Sequence, residues 1–169
     1  FLDLCTGSGN IAISLTKALA NCTIIASDIS DRALRLAVKN ARENGVIERI
    51  DFMKSDLFGS LKAHKGYFDL IISNPPYVDS AILGGLPEDV KREPRIALNG
   101  GMGGLDFYRR IIKDGPGFLK EGGFLALELG DGICKRVEKL LRDSEDFGYI
   151  DVINDLNKIE RVVVAWTNS

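Results

Sequence analysis

An α/β fold with a doubly wound, mostly parallel seven-stranded sheet is what this chain of 169 residues predicts. Three observations point to it. Short apolar runs alternate with segments of helical period from the first residue onward. A glycine-bearing turn joins the first such run to the first helix. Two strand-like runs at the end are joined by a polar segment too short for a helical crossover, so they should pair as a C-terminal antiparallel hairpin.

The strands are expected at residues 1–4, 23–27, 50–53, 68–73, 124–129, 149–153 and 162–166. Helices are expected at 11–19, 31–43, 105–113 and 133–142. Ser30 is placed to cap the second helix, in which Ala33, Leu34, Ala37, Val38 and Ala41 recur on one face. Asn44-Gly45 should stop it. Residues 78–104 break the pattern with a Gly- and Pro-rich stretch, and a segment this long in a compact domain is expected to be a lid or binding loop. No repeat or second domain is visible, so residues 1–169 read as one domain. Residues 1–4 look like the second half of a buried strand and carry no initiator Met, which suggests a fragment with residues missing upstream.

Composition narrows the partners. Hydrophobic residues make up 45% and charged ones 27%, with a net charge of −2 and a pI near 5.5. That balance disfavours nucleic acid as the main partner. Cys5, Cys22 and Cys134 are scattered, and the single histidine, His64, cannot complete a metal site with them; no metal is expected. His64 reads as an exposed loop residue, and Cys5 as a small buried filler. No apolar run reaches membrane-spanning length, and a reduced cytoplasmic setting is expected.

Asp3-Leu4-Cys5-Thr6-Gly7-Ser8-Gly9 is the turn between the first strand and helix. Gly7 and Gly9 allow the backbone to approach a ligand closely, but the spacing alone does not separate a nicotinamide cofactor from S-adenosylmethionine. Asp28 ends the second strand, where a carboxylate can accept both hydroxyls of a ribose. Asp56 follows the third strand, where it could accept an adenine amino proton, with Leu57 or Phe58 against the ring. The sharpest signal is Asn74-Pro75-Pro76-Tyr77, closing the fourth strand. The Asn74 side-chain carbonyl and the Pro75 backbone carbonyl are two acceptors on a rigid bend, able to hold an amide or aminopurine NH2 while Tyr77 packs on its planar face. A nicotinamide reading has no use for that pair.

With these residues in place, the chain resembles the protein-glutamine N5-methyltransferases that modify peptide chain release factors. The resemblance rests on residues 3–9, Ala26-Ser27-Asp28, Ser55-Asp56-Leu57-Phe58, residues 73–78, Glu93-Pro94-Arg95-Ile96-Ala97-Leu98, the 122–129 strand and Arg161-Val162-Val163-Val164. It implies a Rossmann-like class I methyltransferase domain. It also implies S-adenosylmethionine bound by Cys5, Thr6, Gly7, Ser8, Gly9, Asp28, Asp56, Leu57 and Asn74, with the target glutamine held by Asn74, Pro75, Pro76 and Tyr77. The implied partner is a release factor, with an upstream helical domain to help dock it. Cys5 stands where the family often has Gly, which a negative φ would allow. Leu57 stands where an aromatic residue is frequent. The Asn-Pro-Pro-Tyr element also occurs in adenine-N6 methyltransferases, so an RNA or DNA amine is the alternative substrate. A non-catalytic cofactor-binding partner subunit is a rival from another class.

Overall fold

The computed structural model describes residues 1–88 and 90–168. Asp89, in the long irregular stretch, and Ser169, at the end of the expected domain, lie outside the described residues. Seven strands form one sheet: β1 (Leu2–Leu4), β2 (Ile24–Asp28), β3 (Ile50–Lys54), β4 (Phe68–Ser73), β5 (Leu119–Glu128), β6 (Phe147–Asn154) and β7 (Glu160–Thr167). Their order is β3-β2-β1-β4-β5-β7-β6. β1 to β5 run parallel, and β7 is antiparallel to both β5 and β6. The expected doubly wound sheet with a C-terminal hairpin is the fold observed.

β1 lies inside the sheet, between β2 and β4, and is buried on both faces, which is why it reads as an unbroken apolar run apart from Asp3. One face of the sheet packs against α4 (Asp106–Asp114) and α5 (Cys134–Asp143) through Leu2, Leu4, Ile71, Leu127, Ile111 and Leu141. The other packs on α1 (Asn10–Ala18) and α2 (Asp31–Glu43) through Ala12, Ile24, Ala26 and Ala41. Ser30 accepts the Ala33 N–H at 3.2 Å, as a cap should. Beyond Glu43, Gly45 takes φ +69° and closes the end of α2.

The stretch expected to be irregular holds a short helix, α3 (Arg95–Leu98), begun by Pro94. It is strapped to the end of the Asn-Pro-Pro-Tyr turn: Val78 N–H donates to Leu98 O at 2.9 Å, and Gly100 N–H to Val78 O at 2.8 Å. Four residues are too few for hydrophobic periodicity to register, so only the strapping reveals this helix. β5 starts five residues earlier than its apolar run, because Leu119 pairs with Phe68 before a register shift. His64 is not an exposed loop residue. It is half-buried, and its ring stacks on Phe68 with centroids 5.9 Å apart.

Among the described residues, no helix is long and apolar enough to cross a membrane. No group of three or more His, Cys, Asp or Glu among them could hold a metal.

Candidate active site

Connections from β1 run toward β2, and those from β4 toward β5, so the loops after β1 and β4 diverge and leave a crevice at the carboxyl edge of the sheet. Leu4 lies beside Ser73 in the register, and the Ser73 hydroxyl donates to Leu4 O at 2.8 Å. This pairing sets the glycine turn next to the Asn-Pro-Pro-Tyr turn. The crevice opens into a cleft of about 760 Å³, within the roughly 300–1,000 Å³ usual for small-molecule sites.

Residues at the ends of four strands contribute to its wall. Cys5, Gly7 and Ser8 come from the first turn; Asp28 and Ile29 end β2; Asp56 and Leu57 follow β3; Asn74 and Pro76 follow β4. The structure therefore brings together the turn, both strand-end acids and the asparagine, which are far apart in sequence.

Asp28 is held firmly. Its Oδ1 accepts Ser30 N–H at 2.8 Å and its Oδ2 accepts Gly7 N–H at 3.0 Å. A carboxylate has about four acceptor positions, so two remain for a ligand diol. Asp56 Oδ1 pairs with Arg110 Nη2 at 2.8 Å, with both side chains about half exposed at 53% and 47%. Such a pair is worth about 0–1 kcal/mol, little enough for a ligand amine to displace.

Other expected site residues sit elsewhere. The Thr6 hydroxyl turns away from the cleft and donates to Asp3 Oδ2 at 2.6 Å. Burial pushes the Asp3 carboxyl up to about 7, against the lowering effect of the Thr6 hydroxyl and the Ala12 N–H. Gly9 is not on the wall. It caps α1 at φ +84°, with Ala37 so close that an added Cβ would lie 3.1 Å from the Ala37 Cβ. Phe58 does not face the cleft either; it is buried and stacked on Phe118 at 4.5 Å. Of the pair, only Leu57 lines the cleft. Pro75 is buried, and the half-buried Tyr77 ring lies over Gly130, off the cleft wall.

Cys5 does not meet the condition that would make a side chain easy there. Its φ is +58°, not negative, so the turn after β1 runs through three left-handed residues, Cys5, Gly7 and Gly9. A side chain there costs about 1–2 kcal/mol. It lines the cleft instead of simply filling the core, and burial pushes its thiol up to about 12, which makes it a poor nucleophile.

Further wall residues come from α4 and α3. Phe107 and Arg110 project from one face of α4, and Pro94, Ile96 and Ala97 close the cleft from the strapped helix α3. The i, i+3 spacing of Phe107 and Arg110 was the available signal for the first pair. The Glu93–Leu98 element of the family resemblance was the signal for the second.

The methyltransferase small domain model matches residues 1–83, which span the glycine turn and the Asn-Pro-Pro-Tyr turn. A release factor glutamine methyltransferase of Moorella thermoacetica is 40% identical over 164 residues, 97% of this chain and 57% of that protein. A ribosomal protein uL3 glutamine methyltransferase of Bradyrhizobium diazoefficiens is 45% identical over 131 residues, 78% of this chain and 40% of that protein. This chain is a relative of the protein-glutamine methyltransferases. It spans about half the length of the curated relatives it matches. Solved structures agree on the fold. A Pyrococcus furiosus methyltransferase superposes with a TM-score of 0.70 at 20% identity, over 98% of this chain and 73% of that one. A ribosomal protein L11 methylase of Lactobacillus delbrueckii superposes at 0.66 and 24%, over 99% and 69%.

Proposed function

We propose that this chain is the catalytic domain of an S-adenosylmethionine-dependent methyltransferase whose substrate is the side-chain amide of a glutamine in a peptide chain release factor. One observation carries the reading: the Gly7–Asp28 edge of the cleft and Asn74 face the same cavity across the β1/β4 divergence. The cavity's donor set suits the cofactor. Asp28 has acceptor positions left for a ribose, Asp56 can take an amino group, and Leu57 and Ile29 offer apolar surface for a purine.

When bound, S-adenosylmethionine supplies a methyl group on a sulfonium, an electrophile that needs only an aligned nucleophile. The protein's task is then to aim the amide. Its nitrogen is a poor nucleophile because the lone pair is delocalised into the carbonyl. Asn74 Oδ1, on the cleft wall, can accept one of its N–H groups, orienting the nitrogen and stabilising positive charge that builds there. No base is needed before transfer, and one N–H proton leaves afterwards.

The release-factor reading is favoured over uL3 because the release-factor match runs along 97% of the chain and the uL3 match along 78%. The test is to incubate the protein with methyl-labelled S-adenosylmethionine and, separately, release factor, uL3 and RNA. Label is expected on one release-factor glutamine. Label on uL3 would reassign the substrate, and label on RNA would overturn glutamine as the target. Calorimetry should show S-adenosylmethionine and its demethylated product binding while NAD does not; the reverse pattern would remove the cofactor assignment.

Asp28→Ala is expected to weaken S-adenosylmethionine binding by about 1.5–3 kcal/mol, the worth of hydrogen bonding to a charged group. It should also lower the melting temperature, because the Gly7 and Ser30 N–H groups lose their acceptor. A lower melting temperature with an unchanged cofactor Kd would leave Asp28 a brace for the turn and nothing more.

A further inference from the structure

An asparagine can work as an acceptor only if its amide faces the right way, since oxygen and NH2 are nearly the same size and shape. Asn74 follows Ser73 at the end of β4, and Glu128 follows Leu127 at the end of β5. Ser73 and Leu127 are paired neighbours in the parallel register, so Asn74 and Glu128 sit side by side at the carboxyl edge of the sheet. Glu128 is half-buried behind the cleft wall and is not itself part of that wall. The Asn74 side chain is near enough to favour the ionised form of the Glu128 carboxyl.

We propose that Glu128 is a positioning residue, whose carboxylate takes an N–H of Asn74 and so turns the Asn74 carbonyl oxygen toward the target amide. An ionised carboxylate accepts and cannot donate, so only one of the two amide orientations is compatible with it. This rests on the glutamine-methylation reading for its purpose, while the pairing itself stands on the register.

One hydrogen bond and a nearby charge bear on Glu128. The Tyr108 hydroxyl of α4 donates to the Glu128 backbone carbonyl at 2.7 Å, pinning the end of β5. The positive charge of Arg161 on β7 favours the ionised form of the carboxyl. Asp155 in the β6–β7 connection accepts from Arg161 Nε at 3.1 Å, and Asp155 is itself tied to the N–H groups of Asn157 and Ile159. The titratable groups around Glu128 are Arg161 with its partner Asp155, and the Tyr108 hydroxyl, which burial and the nearby Tyr77 and Glu128 keep protonated. Burial outweighs Arg161 and Asn74 and raises the Glu128 carboxyl above its ordinary range.

The test reads the pairing directly and then its consequence. In the 15N-labelled protein, the Asn74 side-chain NH2 resonances, identified by their loss in Asn74→Ala, should shift with pH in one step above the usual carboxylate range. Glu128→Gln should abolish that step. The same variant should lower kcat toward a release-factor glutamine by about 10- to 100-fold, the worth of one hydrogen bond to a charged group. Cofactor Kd and the KM for the protein substrate should stay within about twofold, since neither contact is lost. Adding Glu128→Ala to Asn74→Ala should cost nothing further. Asn74 resonances that ignore Glu128 in the folded protein would overturn the proposal, as would parent-like turnover in Glu128→Gln. If the parent protein methylates no glutamine while the Asn74 amide still titrates with Glu128, the pairing stands and the glutamine reading falls.

Discussion

Asn74→Ala is expected to lower kcat by roughly 10²–10³, the cost of losing one preorganised transition-state hydrogen bond. The side chain is exposed at the cleft, so the fold should persist and the melting temperature should barely move. Cofactor affinity should fall much less, because the glycine turn, Asp28 and Asp56 remain. Asn74→Asp is the informative companion. It keeps size and acceptor capacity, but its carboxylate would lie beside that of Glu128, and two adjoining carboxyls hold one proton more tightly than either alone. Asn74→Asp should therefore exceed Asn74→Ala at low pH and lose that margin as the pH rises and the shared proton leaves. Single-turnover assays across pH, with cofactor Kd measured in parallel, check both variants. Parent-like turnover in both would make Asn74 a structural turn residue and end the amide-aiming mechanism.

Gly104→Ala should produce the largest loss of stability. Gly104 takes φ +73°, and an added Cβ would run into the Tyr77 backbone carbonyl oxygen. Overpacking of about 1–3 kcal/mol adds to about 1–2 kcal/mol for a side chain in the left-handed region, so unfolding should become easier by about 2–5 kcal/mol. The clash bears on the turn that carries Asn74, so kcat should drop even at temperatures where the variant is folded. Gly45→Ala is the control: its φ is also positive, at +69°, but nothing lies within 4 Å of the added Cβ. It should show only the backbone part of the cost and retain full activity. Equal denaturation midpoints for the two variants would mean that the Tyr77 contact is relieved at no cost.

Both results would bear on how the long segment after β4 works. The strap of Val78 to Leu98 and Gly100, and the close fit of Gly100 and Gly104 against the Pro76–Tyr77 backbone, make the 94–104 region a brace for the asparagine turn as well as a cleft wall. At Gly100 an added Cβ would lie 2.7 Å from Pro76 O, so glycine there is demanded by close approach, without any positive φ. Gly100 and Gly104 record backbone contacts between segments more than 20 residues apart.

What this chain's sequence determined by itself was the order of elements, the hairpin and the residue types at the ends of β1, β2 and β4. These are local properties: apolar runs of strand length, a 3.6-residue period in α2, turn residues at fixed positions. Tertiary structure alone decided which side of each turn faces the cleft. Thr6 and Phe58 sit within motifs but point into the protein, because buried Asp3 needs a hydrogen-bond donor and Phe118 offers an aromatic surface. Cys5 takes a left-handed φ that nothing in its identity announces; the turn imposes it. Phe107, Arg110 and Glu128 come to the site from α4 and β5, through helix packing and strand register. Such pairings depend on contacts tens of residues apart in the chain, and a pattern read along one segment carries no information about what lies across from it.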